Sequence, residues 1–146
     1  MTSEKPVIRV VDDDQGTRDT IRLLFEFAGY PVFEAANGYS ALHLLSISRS
    51  RFVVLLDWLL PDLDGIQVIQ QHALAAAAPG TVQRSRPHPH AFILLTASNK
   101  GIADLPPGML VSVVRKPFDM AYLLGLVKVA AEGRAGAEDK GKASGA

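Results

Sequence analysis

At 146 residues with 48% hydrophobic and 21% charged content, the chain has the make-up of one soluble folded domain and not of a disordered segment. Lysine plus arginine and aspartate plus glutamate both number 15, so no basic excess points to nucleic acid, and the lack of cysteine excludes disulfides and thiolate metal sites. No run approaches the ~18 apolar residues that cross a bilayer, and residues 1–6 carry no basic-then-apolar leader, so a cytoplasmic protein is expected.

The first apolar run, Val7-Ile8-Arg9-Val10-Val11, ends in Asp12-Asp13-Asp14. Its β-branched content reads as a strand, and Asp14 or Thr17 suits the cap of a following helix. In that helix Ile21, Leu24, Phe25 and Ala28 fall at i, i+3, i+4, i+7, and Gly29 supplies a stop. Residues 31–35 read as a short second strand, followed by the turn-prone Asn37-Gly38 and by a helix marked by Ala41, Leu44 and Leu45. Phe52-Val53-Val54-Leu55-Leu56 is a third strand ending in Asp57. Gly65 opens a third helix with Ile66, Ile69 and Ala73 on one face. Ala91-Phe92-Ile93-Leu94-Leu95 ends in Thr96, and the run from Leu110 to Arg115 ends in Lys116-Pro117. Asp119 is a natural N-cap for the last helix, where Met120, Leu123, Leu124 and Val127 repeat the helical spacing.

Strands alternating with helices predict an α/β fold: one doubly wound, five-stranded parallel sheet with helices on both faces. Between Thr96 and the last strand, two prolines and two glycines leave room for a fourth helix of little more than one turn. Residues 78–90 show no periodicity and read as a long loop, and residues 132–146 read as a disordered tail. The folded domain is thus expected over residues 1–131. No output or DNA-binding domain is read in this chain.

In an open parallel sheet, ligands bind outside the carboxyl ends of the strands. One sheet would therefore bring Asp12, Asp13, Asp57, Thr96 and Lys116 to one rim. Clustered carboxylates resist full ionisation. A hard divalent cation relieves the repulsion, and oxygen ligands favour Mg²⁺. Three carboxylates and one lysine sum to −2, which one such ion neutralises. Lys116 and Thr96 can contact further phosphoryl oxygens, leaving Asp57, alone at its strand end, as the nucleophile. The loop after it carries no cation that would quench Asp57.

These motifs together (Val10-Val11-Asp12-Asp13, Asp57 with Pro61 and Asp64-Gly65, Thr96-Ala97, Lys116-Pro117-Phe118) resemble the receiver domain of bacterial two-component response regulators, here of a stand-alone type. The resemblance implies the flavodoxin-like (βα)5 fold, with the fourth helix reduced. It implies that Asp57 accepts phosphate from a histidine kinase or phosphotransfer protein, without the chain being a turnover enzyme. It also implies Mg²⁺ held by Asp12, Asp13, Asp57 and the Leu59 carbonyl, phosphoryl contacts from Thr96 and Lys116, and a cis Lys116–Pro117 peptide. A homodimer is compatible with it, and membrane attachment is not implied. The family usually places an aromatic three residues before the lysine, where this chain has Val113. An alternative reading is a receiver-like interaction module whose output is independent of phosphate.

Weaker signals have plainer readings. Asp62-Leu63-Asp64-Gly65 resembles a haloacid-dehalogenase nucleophile motif, but Pro61, not an apolar strand, precedes it. His88 and His90, with His72 as a further ligand, could bind metal, although a solvated loop is the default. Trp58 is expected to pack partly over the loop, and His43 to be a surface residue.

Overall fold

The computed structural model describes residues 5–47, 52–76, 91–97 and 110–132. Five strands, β1 (Val7–Val11), β2 (Val32–Ala35), β3 (Phe52–Asp57), β4 (Ala91–Thr96) and β5 (Leu110–Arg115), form one sheet in the order β2-β1-β3-β4-β5. Every pairing is parallel. The described helices are α1 (Gln15–Phe27), α2 (Gly38–Ile47), α3 (Gly65–Ala76) and α4 (Met120–Ala131). The reduced helix anticipated within residues 100–107, the loop over 78–90 and the tail beyond residue 132 lie outside the described residues.

Because side chains alternate across a strand, the sheet separates two apolar layers. Val11, Val54, Leu56, Phe92 and Leu94 pack with α2 and α3 residues such as Ala41, Leu45, Val68 and Ile69. Ile8, Val10, Val53, Leu55, Ile93 and Leu95 pack with Ile21 and Phe25 of α1 and Leu123 and Val127 of α4. The three inner strands are buried along nearly their whole length, which is why they read as apolar runs, with Arg9 the exception.

Helix boundaries follow local chemistry. Asp14 caps α1 and accepts from the Thr17 N–H, and Asp119 caps α4 and accepts from the Ala121 N–H. Gly29, at φ 95°, turns the chain out of α1 in a conformation that costs other residues more. The inner face of α3 contains the expected Ile69, with Ile66 and Ala73 packed partly against the core, and it extends to buried Val68 and His72. At Gly65 an added Cβ would lie 2.8 Å from the Asp57 carbonyl oxygen and from Leu94, so α3 starts pressed against the end of β3. His72 packs edge-on to Phe92 at 6.0 Å, and His88 and His90 lie outside the described residues. His43 is exposed as expected.

One residue breaks the apolar pattern of the sheet. Arg9, between Val7 and Val11 in β1, is 6% exposed, and its guanidinium lies 5.4 Å from the Phe33 ring and 5.0 Å from the Phe52 ring. Its Nε has no hydrogen-bond partner among the described residues, and burial lowers its pKa.

Candidate functional site

Register carries the strand ends to one rim. Val11 pairs with both Ala35 and Leu56, Asp57 pairs with Leu95, and Thr96 pairs with Arg115. The residues that follow β1 and β5, and those that end β3 and β4, therefore meet at the carboxyl edge. Strand order reverses there, since the chain steps from β1 outward to β2 and then back across to β3.

Asp12, Asp13 and Asp57 each offer a carboxylate oxygen within 4.8 Å of the others. Asp12 and Asp57 are buried, while Asp13 faces solvent. Lys116 Nζ donates to Asp12 Oδ2 at 3.2 Å and to Asp57 Oδ1 at 3.3 Å. Thr96, buried at the end of β4, accepts the Lys116 N–H through its carbonyl oxygen at 2.7 Å. The lysine is thus tied to the threonine's strand, and the Lys116–Pro117 peptide that follows is cis. Leu59 lies two residues beyond Asp57 on the loop and is 68% exposed.

Charge in this pocket is only partly balanced. Burial, and then the neighbouring Asp12 carboxylate, push the Asp57 pKa up against the opposing pull of Lys116. Burial alone would lower the Lys116 pKa, but the carboxylates of Asp57 and Asp12 outweigh it and raise the value. The lysine therefore stays cationic, and the pocket keeps an excess of negative charge.

Several fixed contacts shape the loops. The Asp12 N–H donates to the Ala35 carbonyl at 3.1 Å, and Asp12 Oδ1 accepts the Asp14 N–H at 2.9 Å. Arg18 Nη1 donates to the Asp12 carbonyl oxygen at 2.7 Å, and its Nε donates to Glu34 at 2.9 Å. Arg22 also pairs with Glu34. On the other side, Trp58 is more buried than its sequence position suggests: it is 9% exposed within the α2–α3 layer. Its backbone N–H donates to the Leu95 carbonyl, and its own carbonyl accepts the Gly65 N–H. A cleft of about 510 Å³ opens beside Lys116, bounded by the cap Asp14, by Thr17 and Thr20 of α1, and by Phe118 and Met120.

Asp62 has a role that its sequence context concealed. Its carboxylate accepts the N–H groups of Gly38 and Tyr39, the first two residues of α2, at 2.7 and 2.9 Å, and also that of Leu63. Asp62 thus caps a helix 24 residues upstream and pins the loop after β3 to it. Burial would raise its pKa, but the donating N–H groups of Tyr39, Gly38 and Leu63 prevail and lower it. This occupation as a cap leaves the dehalogenase-like reading of Asp62 without support.

Comparison with known proteins agrees with this geometry. The family model of the response regulator receiver domain matches residues 8–128. Sporulation initiation phosphotransferase F of Bacillus subtilis (strain 168) is 39% identical over 71 residues, which cover 49% of this chain and 55% of that protein. Response regulator MprA of Mycobacterium sp. (strain KMS) is 44% identical over 64 residues, 44% of this chain and 27% of that protein. The matched segments thus span about half of the first relative and about a quarter of the second. Among solved structures, a CheY-like receiver domain protein from Methanospirillum hungatei JF-1 superposes with a TM-score of 0.70 at 26% identity, covering 90% of this chain and 98% of that one. The signal receiver domain of an HD domain-containing protein from Pseudomonas fluorescens Pf-5 superposes with a TM-score of 0.71 at 21% identity, covering 92% of each chain. With the family model matching most of its length, the chain belongs to the response regulator receiver domain family.

Proposed function

We propose that this receiver, over residues 1–131, accepts a phosphoryl group on Asp57 from a phosphohistidine of a histidine kinase or phosphotransfer protein, and signals through protein contacts. The observation that carries the reading is the shared lysine: Lys116 bridges Asp12 and Asp57 at 3.2 and 3.3 Å inside a three-carboxylate pocket. A Mg²⁺ site fits the residues present, because the donors are all oxygen, one carboxylate faces solvent, and the pocket has uncompensated negative charge. Asp12, Asp13, Asp57 and the Leu59 carbonyl would hold the ion, which when bound supplies Lewis-acid polarisation of a phosphoryl oxygen.

The protein's own groups divide the remaining work. An Asp57 carboxylate oxygen attacks phosphorus, the P–N bond to the donor imidazole breaks, and its electron pair stays on that ring nitrogen. Asp57 must be ionised to attack, and Lys116 opposes the burial that favours its protonated form. Lys116 then neutralises one phosphoryl oxygen, and the Thr96 hydroxyl donates to another. The chain in this scheme is an acceptor that is itself modified, not an enzyme that turns over a separate substrate.

The test is incubation with Mg²⁺ and acetyl phosphate, followed by quantification of hydroxylamine-sensitive acyl phosphate. Asp57→Asn should abolish incorporation while preserving the fold. Incorporation that persists in this variant would mean that another carboxylate is the acceptor. The competing reading, an interaction module indifferent to phosphate, draws on Val113, which is 36% exposed and offers no ring to bury on activation. Wild-type protein that takes up no phosphate would favour it.

A further inference from the structure

The loop Asp12-Asp13-Asp14 must be held so that two successive carboxylates serve different ends: Asp12 buried against Lys116, and Asp13 facing solvent beside it. Backbone contacts fix only part of it. The Asp12 N–H is satisfied by Ala35, but the Asp12 carbonyl, which heads the peptide leading to Asp13, accepts from a side chain, Arg18 Nη1 at 2.7 Å. Arg18 lies one turn into α1 with its side chain 14% exposed. It is aimed by Glu34 of the edge strand β2, which accepts from Arg18 Nε at 2.9 Å and is itself flanked by Arg22. The planar guanidinium thus spans two acceptors, one on the sheet edge and one at the root of the acidic loop. A lysine has one nitrogen and cannot span both in the same way.

We infer that Arg18 is a positioning residue for the acidic pocket: with Glu34 as its anchor, it sets the Asp12–Asp13 peptide so that Asp13 reaches the cation site. This inference rests on the Mg²⁺ reading proposed above. Groups bonded to the ligands of a metal are known to govern ligand orientation, and losing one typically weakens binding. Two opposite consequences of Arg18 can be separated by sign. As a nearby positive charge it repels a cation, so deleting it should tighten binding if charge were its whole role. As a positioning group its deletion should weaken binding.

Mg²⁺ alone is titrated into the full chain, followed by emission of Trp58, the single tryptophan, which adjoins Asp57. Arg18→Met, which keeps the stem but removes charge and donors, should bind Mg²⁺ about tenfold more weakly. Arg18→Lys, which restores the charge alone, should remain weaker than wild type. Arg22→Met removes an equal charge that touches Glu34 but not the loop, and should leave the affinity within about twofold. Glu34→Gln guards against misfolding of the Arg18 variants, since it loosens the anchor without touching the pocket and should also weaken binding. Unchanged or tighter binding in Arg18→Met, or wild-type affinity in both Arg18→Lys and Glu34→Gln, overturns the inference. A wild-type chain that takes no Mg²⁺ overturns the metal reading and this inference together, whereas binding that is indifferent to Arg18 overturns this inference alone.

Discussion

Replacing Asp57 by asparagine removes one of three clustered charges while keeping the side chain's size and shape, so its effect on stability reports the electrostatics of the pocket. At an effective dielectric of about 20, a like-charge pair at the 4.8 Å limit costs about 3.5 kcal/mol, and an ion pair at 3.3 Å contributes about 5 kcal/mol. Asp12 repels Asp57 at full strength, whereas exposed Asp13 is screened by solvent to roughly half. These parts nearly cancel against Lys116, and what remains is the cost of holding a 7% exposed carboxylate away from water. An Asn amide can still accept from Lys116 without that cost. Without Mg²⁺ at neutral pH, Asp57→Asn should therefore be more stable than wild type by about 1–2 kcal/mol, a rise in Tm of about 3–6 °C. Because burial and Asp12 raise the folded pKa of Asp57, the native state holds its proton longer than the unfolded chain does, and wild-type stability falls as pH rises through that window. The gap between the proteins should accordingly close in acid. Mg²⁺ at 100 times its Kd should add about 2.7 kcal/mol to wild type and far less to the variant, reversing the order. Thermal melts with EDTA or Mg²⁺ at several pH values test all three statements. An Asp57→Asn protein that is less stable in EDTA, or a gap that ignores Mg²⁺, would refute the electrostatic account.

Gly65→Ala should destabilise by about 2–3 kcal/mol, because the new methyl meets the Asp57 carbonyl at 2.8 Å and the Trp58 Cα at 3.1 Å; unchanged urea unfolding would contradict this packing. Asp62→Ala should cost about 1 kcal/mol near neutral pH, as is usual for a lost cap. The Asp62 pKa is lowered by the N–H groups it accepts, so that stability is present above the unfolded carboxylate value and is lost as pH falls through the folded one. A difference that grows in acid would be the wrong sign. Arg9→Met should be neutral or stabilising by about 1 kcal/mol, since it replaces a buried cation with no anionic partner among the described residues, at the loss of two ring contacts. Clear destabilisation in chemical unfolding would show that those rings outweigh the burial of charge.

The site was legible in the sequence where it depended on strand ends. Parallel strands in register must deliver whatever ends them to one edge, so Asp12, Asp57, Thr96 and Lys116 could be gathered without coordinates. Caps at Asp14 and Asp119 were legible because they act within three residues. What stayed hidden were the long-range contacts that strand ends do not announce. Asp62 lies in a loop that looks like a simple turn, yet its partners are the N–H groups of Gly38 and Tyr39. Arg18 sits at an ordinary helical position, and nothing local announces that it reaches the Asp12 carbonyl. The close approach of Gly65 to the end of β3 is a distance that periodicity does not encode. Arg9 lay inside a run that otherwise reads as a buried strand, so a charge could be seen there but not the two rings that enclose it.

The bridge from Lys116 to Asp57 joins residues 59 positions apart, and that to Asp12 joins residues 104 positions apart. On the ribosome, at about 5–20 residues per second, the lysine is added roughly 3–12 s after Asp57. Throughout that interval the nascent chain carries all three carboxylates and lacks the cation that bridges two of them. Closing such distant segments is slow, and the bridge cannot form before the residue that follows β5 has reached the sheet edge. A chain stalled before β5 would thus hold Asp57 without its counter-charge, and the phosphoryl acceptance proposed for Asp57 would register completion of the sheet.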